Sequence, residues 1–325
     1  MENKIRVGIV GYGNLGKGVE LALKQNSDFI LKGIFTRRDT SLIDTNSKVI
    51  HISHILDYKD EVDVMILCGG SANDLPKQGP EFAGYFNTVD SYDNHNKIPE
   101  YFKKVDEVAK KSKKVSLISA GWDPGLFSLN RLLAQSILPD SRNYTFWGKG
   151  VSQGHSDAIR KIEGVKYAIQ YTIPSEEAIK KVRSGENPHL ENCQKHTRTC
   201  YVVPNDFNDT DRIEKEIKTM PNYFLGYDTT VHFITEEEFK KNHSKMPHGG
   251  SVICTGKTSD EHKQRIEFNL FLDNNPEFTS SVLVAFARAV YRMALDNKTG
   301  AFSVFDIPLA YLSPKSGEGL RKELL

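Results

Sequence analysis

One stretch near the start limits the fold more than any other. Residues 5–10 read Ile-Arg-Val-Gly-Ile-Val and run straight into Gly11-Tyr12-Gly13-Asn14-Leu15-Gly16, after which Val19-Glu20-Leu21-Ala22-Leu23 has helical spacing. A short, almost wholly apolar run suits a parallel strand covered on both faces. Three glycines at this spacing also occur in plain turns, but the strand before and the helix after give the context of a dinucleotide-binding loop. Gly11 permits the tight turn, Gly13 lets the backbone approach a pyrophosphate, and Gly16 allows close helix–sheet packing. Tyr12, Asn14 and Leu15 belong to the same loop, and the helix start offers backbone N–H groups to the phosphates.

Strand candidates recur at 30–35, 63–68, 87–89 and 115–119, with a polar, helix-like Ile98–Ser112 between the last two. Strands separated by helices predict an α/β domain with a Rossmann-type, doubly wound parallel sheet. The end of the second strand selects the dinucleotide. An NAD site places Asp or Glu there, whereas this chain reads Phe35-Thr36-Arg37-Arg38. Two guanidiniums and a hydroxyl suit a 2′-phosphate, so the expected cofactor is NADP. Gly69-Gly70-Ser71-Ala72 follows the third strand and is expected to line the same crevice, which lies at the carboxyl ends of the strands.

Beyond Gly121 the pattern changes. Residues 126–138 have helical spacing and open after Asp123-Pro124-Gly125, where Asp caps and Pro starts a helix. Alternating or β-branched stretches follow at 168–173, 199–203, 229–234, 251–255 and 266–272, with short helical pieces at 175–182 and 211–219. This pattern predicts an α+β domain on an open, largely antiparallel sheet. Residues 280–295 form a long amphipathic helix candidate.

Charge and composition exclude several classes. The 325 residues carry 43 Lys/Arg against 42 Asp/Glu, with no basic excess of the kind a duplex-binding domain shows, so no nucleic-acid partner is expected. The longest apolar run, 282–287, is far short of the ~20 residues that span a bilayer, and no membrane partner is expected. Met1-Glu2-Asn3-Lys4 shows no charged-then-apolar leader, which together with the dispersed Cys68, Cys193, Cys200 and Cys254 predicts reduced thiols in a cytoplasmic protein. His155 and Asp157 lack metal-ligand spacing, so no metal site is expected.

Several strings concentrate polar and aromatic groups, among them Thr88-Val89-Asp90-Ser91-Tyr92-Asp93-Asn94-His95 and Ser119-Ala120-Gly121-Trp122-Asp123-Pro124-Gly125. Others are Thr145-Phe146-Trp147-Gly148-Lys149-Gly150-Val151-Ser152-Gln153-Gly154-His155-Ser156-Asp157 and Met246-Pro247-His248-Gly249-Gly250. With the glycine loop and Thr36-Arg37-Arg38, and in this order along the chain, they resemble the meso-diaminopimelate D-dehydrogenase family. The similarity runs from Ile5 to about Pro314.

The resemblance implies NADP-dependent, reversible oxidative deamination at the D-centre of meso-2,6-diaminopimelate, giving L-2-amino-6-oxopimelate, ammonia and NADPH. It thereby implies a place in lysine and peptidoglycan precursor synthesis. A substrate with two ammonium and two carboxylate groups needs acceptors at one end of its site and cations at the other. Asp93 and Asp123 follow the strand candidates at 87–89 and 115–119, and the resemblance puts both at the reacting amino end, where either is a candidate base. Thr172, Arg198 and His248 match carboxylate-binding positions for the distant L-centre, and Asn274 a further polar contact. Gln153, Gly154 and Asp157 match pocket-lining positions, with Trp147 as an apolar wall.

Asp90, Ser91, Tyr92, Ala120, Gly121, Trp122, Pro124 and Gly125 are expected along the cofactor. Ala120 and Lys149 depart from the family pattern within their motifs, and neither receives a specific role. The resemblance also implies a homodimer and a discontinuous dinucleotide-binding domain, 1–120 with 298–325, around a substrate-binding and dimerisation domain at 121–297. Two alternatives are a dihydrodipicolinate-reductase-like NADP oxidoreductase and a non-catalytic NADPH sensor. The first would want a lysine cluster that the chain does not show, and the intact set of polar site positions speaks against the second.

Overall fold

The computed structural model describes residues 4–138 and 140–325; Met1-Glu2-Asn3, named above in the reading of the N-terminus, lie outside the described residues. The chain forms two compact units, Met1–Leu129 with Pro276–Leu325, and Asn130–Asn275.

In the first unit, β1 (Ile5–Val10), β2 (Phe29–Thr36), β3 (Val49–His51), β4 (Val64–Leu67), β5 (Asn87–Asp90) and β6 (Val115–Leu117) pair in parallel with a short strand at Gly300–Phe302. The seven-stranded order is Gly300–Phe302, β6, β5, β4, β1, β2, β3. Alternation along the strands feeds two cores. Val7, Ile9 and Ile66 enter one, while Val10, Met65 and Leu67 enter the other. The run at β4 is therefore continuously apolar, and that at β1 is broken only by Arg6, because both faces are covered. Strand order reverses between β1 and β4, so the crevice outside their carboxyl ends is where such a sheet binds its ligand.

Helices α1 (Asn14–Lys24), α2 (Leu75–Ala83) and α3 (Ile98–Ser112) belong to this unit, and α4 (Leu126–Ile137) leads into the second. The unit boundaries differ from the expected 120/121 and 297/298. The chain returns at Pro276 because the Asn275–Leu295 helix, assigned from sequence to the second domain, packs Leu283, Phe286, Ala287 and Val290 against Val7, Ile9 and Val19. Close approach has a specific cause: a Cβ at Gly18 would lie 2.5 Å from Ser280 Oγ, which itself bonds to the Leu15 carbonyl at 2.8 Å. By length and composition this 21-residue helix is apolar enough to cross a membrane, but its apolar face is core.

Arg288, 2% exposed, fastens the C-terminal return. It bonds to Asp28 at 2.5 Å, to Asn26 at 2.9 Å and to the Leu312 carbonyl at 2.6 Å, with its plane over Phe29.

The second unit has two sheets where the sequence predicts one. In the first, β8 (Gly150–Val151), β9 (Val165–Pro174) and β10 (His196–Pro204) are antiparallel, and β11 (Thr229–Phe233) joins β10 in parallel. In the second, β7 (Ser141–Trp147), β12 (His248–Lys257) and β13 (Lys263–Leu272) are antiparallel, with β12 central. A helix at Gln153–Arg160, α5, follows β8.

Candidate active site

The glycine loop of the first unit opens on a cavity of about 270 Å³ lined by Gly11, Gly13, Thr36, Arg37, Arg38 and Gly69, among others. Gly11 has φ +89°, a conformation that favours glycine. A Cβ at Gly16 would meet the Gly11 carbonyl oxygen at 2.2 Å, whereas one at Gly13 would meet nothing within 4 Å. Gly16 is thus a packing glycine, and Gly13 faces open space where α1 begins. The first turn of α1 carries no acidic side chain, so the positive end of the helix is unopposed there by its own residues. A pyrophosphate fits this donor set.

At the end of β2, Arg37 pairs with Asp74 at 2.7 Å, and Arg38 donates to the Tyr12 carbonyl. Thr36 is buried, its hydroxyl accepting the Arg38 N–H at 3.2 Å. The two guanidiniums thus flank the glycine loop, while Thr36 shapes the turn that presents them.

Glu20, unassigned from the sequence, holds this corner. Its carboxylate accepts from Tyr12 and from Thr45 and Ser47 of the loop beyond β2, at 2.9 Å and 2.7 Å, and pairs with Lys24. Burial opposes ionisation, but these bonds outweigh it and bring the carboxyl down to about 2. Because the folded value lies below the ordinary 4.5, the carboxylate's contribution to stability is complete above pH 4.5 and is lost as pH falls toward 2. Glu20→Gln should therefore be less stable than wild type at neutral pH, with the gap closing across that acid window in urea titrations.

The loops after β5 and β6 are joined through Asp90. Its carboxylate accepts from Tyr101 at 2.6 Å, from the Tyr92 N–H at 2.9 Å and from the Ser119 N–H at 3.0 Å. Burial pushes its carboxyl up against those three bonds. Asp90, Tyr92 and Ala120, expected along the cofactor, are almost wholly buried. Both Asp90 oxygens are occupied within the protein, so it fastens the loops that carry Asp93 and Asp123. Asp93 is exposed, its N–H bonded to Ser71 Oγ at 3.2 Å, and Asp123 is half-buried. Gly121 and Gly125 close the second loop: a Cβ at Gly125, φ +136°, would overlap the Gly121 oxygen at 1.7 Å. Trp122 is buried edge-on to Phe127. Ser91 and Pro124 are half-buried and Ala72 is exposed. Gly69 and Gly70 lie beside Asp74, which accepts the Gly70 N–H at 3.0 Å.

The second unit concentrates its polar groups around Arg198. Thr172 on β9 is the register partner of Arg198 on β10, so both side chains share one face, and Arg198 Nη1 donates to Thr172 Oγ1 at 3.2 Å. Arg198 is 8% exposed, stacks on Tyr227 at 4.0 Å, and has a buried Nε with no partner. A buried guanidinium with an unsatisfied donor is built to receive an anion.

His248 opens β12 and packs against Gly150, where a Cβ would lie 2.5 Å from its ring. Burial lowers its pKa, and its Nδ1 lies 2.8 Å from the Gly249 nitrogen and 3.0 Å from the Gly249 carbonyl oxygen, which anchors the ring to its own strand. Trp147 stacks on His196, whose Nε2 accepts the Trp147 N–H at 2.8 Å. Burial brings His196 down to about 4. Gln153 is exposed and contacts the Met246 sulfur, and Gly154 stands open. Asp157 is exposed and pairs with Arg160 one turn along α5. Asn274 is half-buried after β13.

Two neighbours of Arg198 went unassigned in the sequence. His155 accepts or donates at Ser152 Oγ, 2.7 Å away, and lies edge-on to Phe224; burial first, then the Arg198 charge, bring it down to about 4. Gln170 is fully buried two residues before Thr172 on β9, a period-two spacing visible in the sequence. All four cysteines are unpaired thiols, and the described residues contain no metal-binding cluster.

Comparison with known proteins is consistent along the whole chain. Residues 121–274 match the diaminopimelic acid dehydrogenase C-terminal domain family. The meso-diaminopimelate D-dehydrogenase of Ureibacillus thermosphaericus is 63% identical over 325 residues, covering 99% of this chain and 100% of that protein. A crystal structure of a mutant meso-diaminopimelate dehydrogenase of Clostridium tetani E88 with DAP is 60% identical, with TM-score 0.94 over 99% of this chain and 100% of that one. An engineered D-amino acid dehydrogenase bound to NADP+ is 45% identical, with TM-score 0.89 over 99% and 100%. The Rossmann-type α/β unit with a separate antiparallel sheet is therefore the fold of these enzymes, and the chain belongs to the meso-diaminopimelate D-dehydrogenase family.

Proposed function

We propose that the chain catalyses the NADP-dependent, reversible oxidative deamination of the D-centre of meso-2,6-diaminopimelate. The observation that carries this reading is the buried, donor-rich Arg198–Thr172 pair beside a neutral His248. Such a set fits a carboxylate remote from the reacting carbon, and monocarboxylate amino acids have no second carboxylate to offer it.

Bound NADP+ supplies an electrophilic nicotinamide carbon that accepts hydride. Arg37 and Arg38 hold its 2′-phosphate, and the Gly11–Gly16 loop leaves room for its pyrophosphate. Asp93 and Asp123 hold the reacting ammonium, and one of them takes its proton so that the nitrogen lone pair assists departure of the hydride. Arg198 and the Thr172 hydroxyl bind the distal carboxylate together with the His248 ring, while Trp147, Gln153, Gly154, Asp157 and Asn274 line the same substrate site. Fixing the L-centre in this way leaves the D-centre to react, because productive transfer needs the reacting atoms within ~3.5 Å.

The protein acts as a cytoplasmic homodimer. Supporting the dimer, the second unit exposes Leu132, Leu133 and Ile137 on α4 and Phe271 on the edge strand β13. With NADP+ and meso-diaminopimelate at alkaline pH, purified protein should generate the absorbance of NADPH, and the LL and DD isomers should give far less. Equal rates on all three isomers would refute the reading.

A further inference from the structure

We propose that Gln170 is a positioning residue that fixes the direction of the Thr172 hydroxyl and thereby tunes recognition of the distal carboxylate. The inference rests on the function proposed above. Gln170 and Thr172 alternate on β9 and face Cys200 and Arg198 across the ladder, so all four side chains share one face. Further along that face Ala168, Cys200 and Val202 belong to an apolar cluster with Ile159, Ile213 and Phe224. Gln170 therefore stands where the polar site meets the core, and its exposure is 0%.

An apolar side chain would satisfy that position as far as packing is concerned. Instead the amide donates to Thr172 Oγ1 at 3.3 Å, and its own carbonyl oxygen is buried with no partner. Its one side-chain hydrogen bond is thus to a residue of the site. Thr172 Oγ1 also accepts from Arg198 at 3.2 Å. A hydroxyl has two lone pairs and one proton. With both lone pairs engaged by donors, the proton of Thr172 must be given to a third group, and that group must be an acceptor. A carboxylate oxygen held by the unpartnered Arg198 Nε fulfils this requirement. Gln170 makes Thr172 an obligate donor toward the anion, although Gln170 itself touches no ligand.

Steady-state kinetics on Gln170→Leu, Gln170→Glu, Thr172→Val and the double variant Gln170→Leu/Thr172→Val test this. Gln170→Leu should raise KM for meso-diaminopimelate about tenfold with kcat within about twofold, the signature of lost ground-state binding. Gln170→Glu offers an acceptor that captures the Thr172 proton and sets a negative charge beside the anion site, so its KM should rise further still. The double variant should match Thr172→Val alone, because the amide has nothing left to orient. NADPH affinity, read by fluorescence titration, should be unchanged in every variant and reports that each is folded.

Additive effects in the double variant, or a Gln170→Glu enzyme better than Gln170→Leu, would overturn the proposal while leaving the activity intact. Wild-type protein inactive on meso-diaminopimelate would overturn both.

Discussion

Arg198→Met is expected to lower kcat/KM for meso-diaminopimelate by about 10³-fold, while the protein becomes no less stable. The two halves of this expectation have one cause. Arg198 is 8% exposed, its Nε is buried without a partner, and burial pulls its pKa down, so the folded protein carries the cost of a poorly solvated cation. Tyr227 offsets part of that cost by stacking beneath it at 4.0 Å. A carboxylate seated on the guanidinium would offset the rest, which is why affinity should depend so strongly on this residue. Methionine removes the charge and keeps most of the volume. The variant should also gain relative activity on monocarboxylate D-amino acids, since no cation would then be left unpaired by them. Near-normal diaminopimelate turnover in the variant would refute binding of the distal carboxylate by Arg198.

Replacing Arg37 and Arg38 together with Ala should raise KM for NADPH by about 10²-fold or more and change KM for NADH by less than about threefold. The asymmetry follows from chemistry. The end of β2 carries no carboxylate to hold the ribose hydroxyls of NADH, so the wild-type site offers NADH little there to lose. Arg37 spends part of its charge on Asp74 at 2.7 Å, and Arg38 is tied to the Tyr12 carbonyl. Both are thereby pre-oriented at the glycine loop, so less side-chain entropy is lost when a phosphate arrives. Parallel losses with both cofactors would mean the arginines shape the loop and read no phosphate.

The dinucleotide half was legible because its physics is local. A strand buried on both faces must be an almost wholly apolar run, as at β1 and β4, and the turn after β1 must carry glycine where the backbone takes φ +89°. Other elements were hidden for equally physical reasons. Val49–His51 and Gly300–Phe302 are three-residue edge strands, too short to show a period. Ser141–Trp147 carries Arg142 and Asn143 next to each other, which masks its alternation.

The Asn275–Leu295 helix is legible from residue 280 onward, but the unit it joins is not, and the first compact unit takes up the chain again at Pro276. Periodicity shows that a helix buries a face, and only packing shows against what. The candidate site divides in the same way. Arg37 and Arg38 stand out by their distance from the glycine loop, whereas Arg198 and Thr172 are 26 positions apart and meet through strand pairing. Family resemblance named that pair; spacing alone would not. Glu20 and Gln170 received no role from the sequence, since a residue that acts by orienting another leaves its mark in hydrogen bonds.

The central claim is that the D-centre alone gives up its hydrogen to NADP+. meso-Diaminopimelate labelled with deuterium at the D-centre or, separately, at the L-centre would be oxidised by the purified protein, and the reduced cofactor analysed by mass spectrometry. The account predicts NADPH one mass unit heavier from the D-labelled substrate and unlabelled NADPH from the L-labelled one. Deuterium arriving from the L-centre, or from both centres alike, would contradict it.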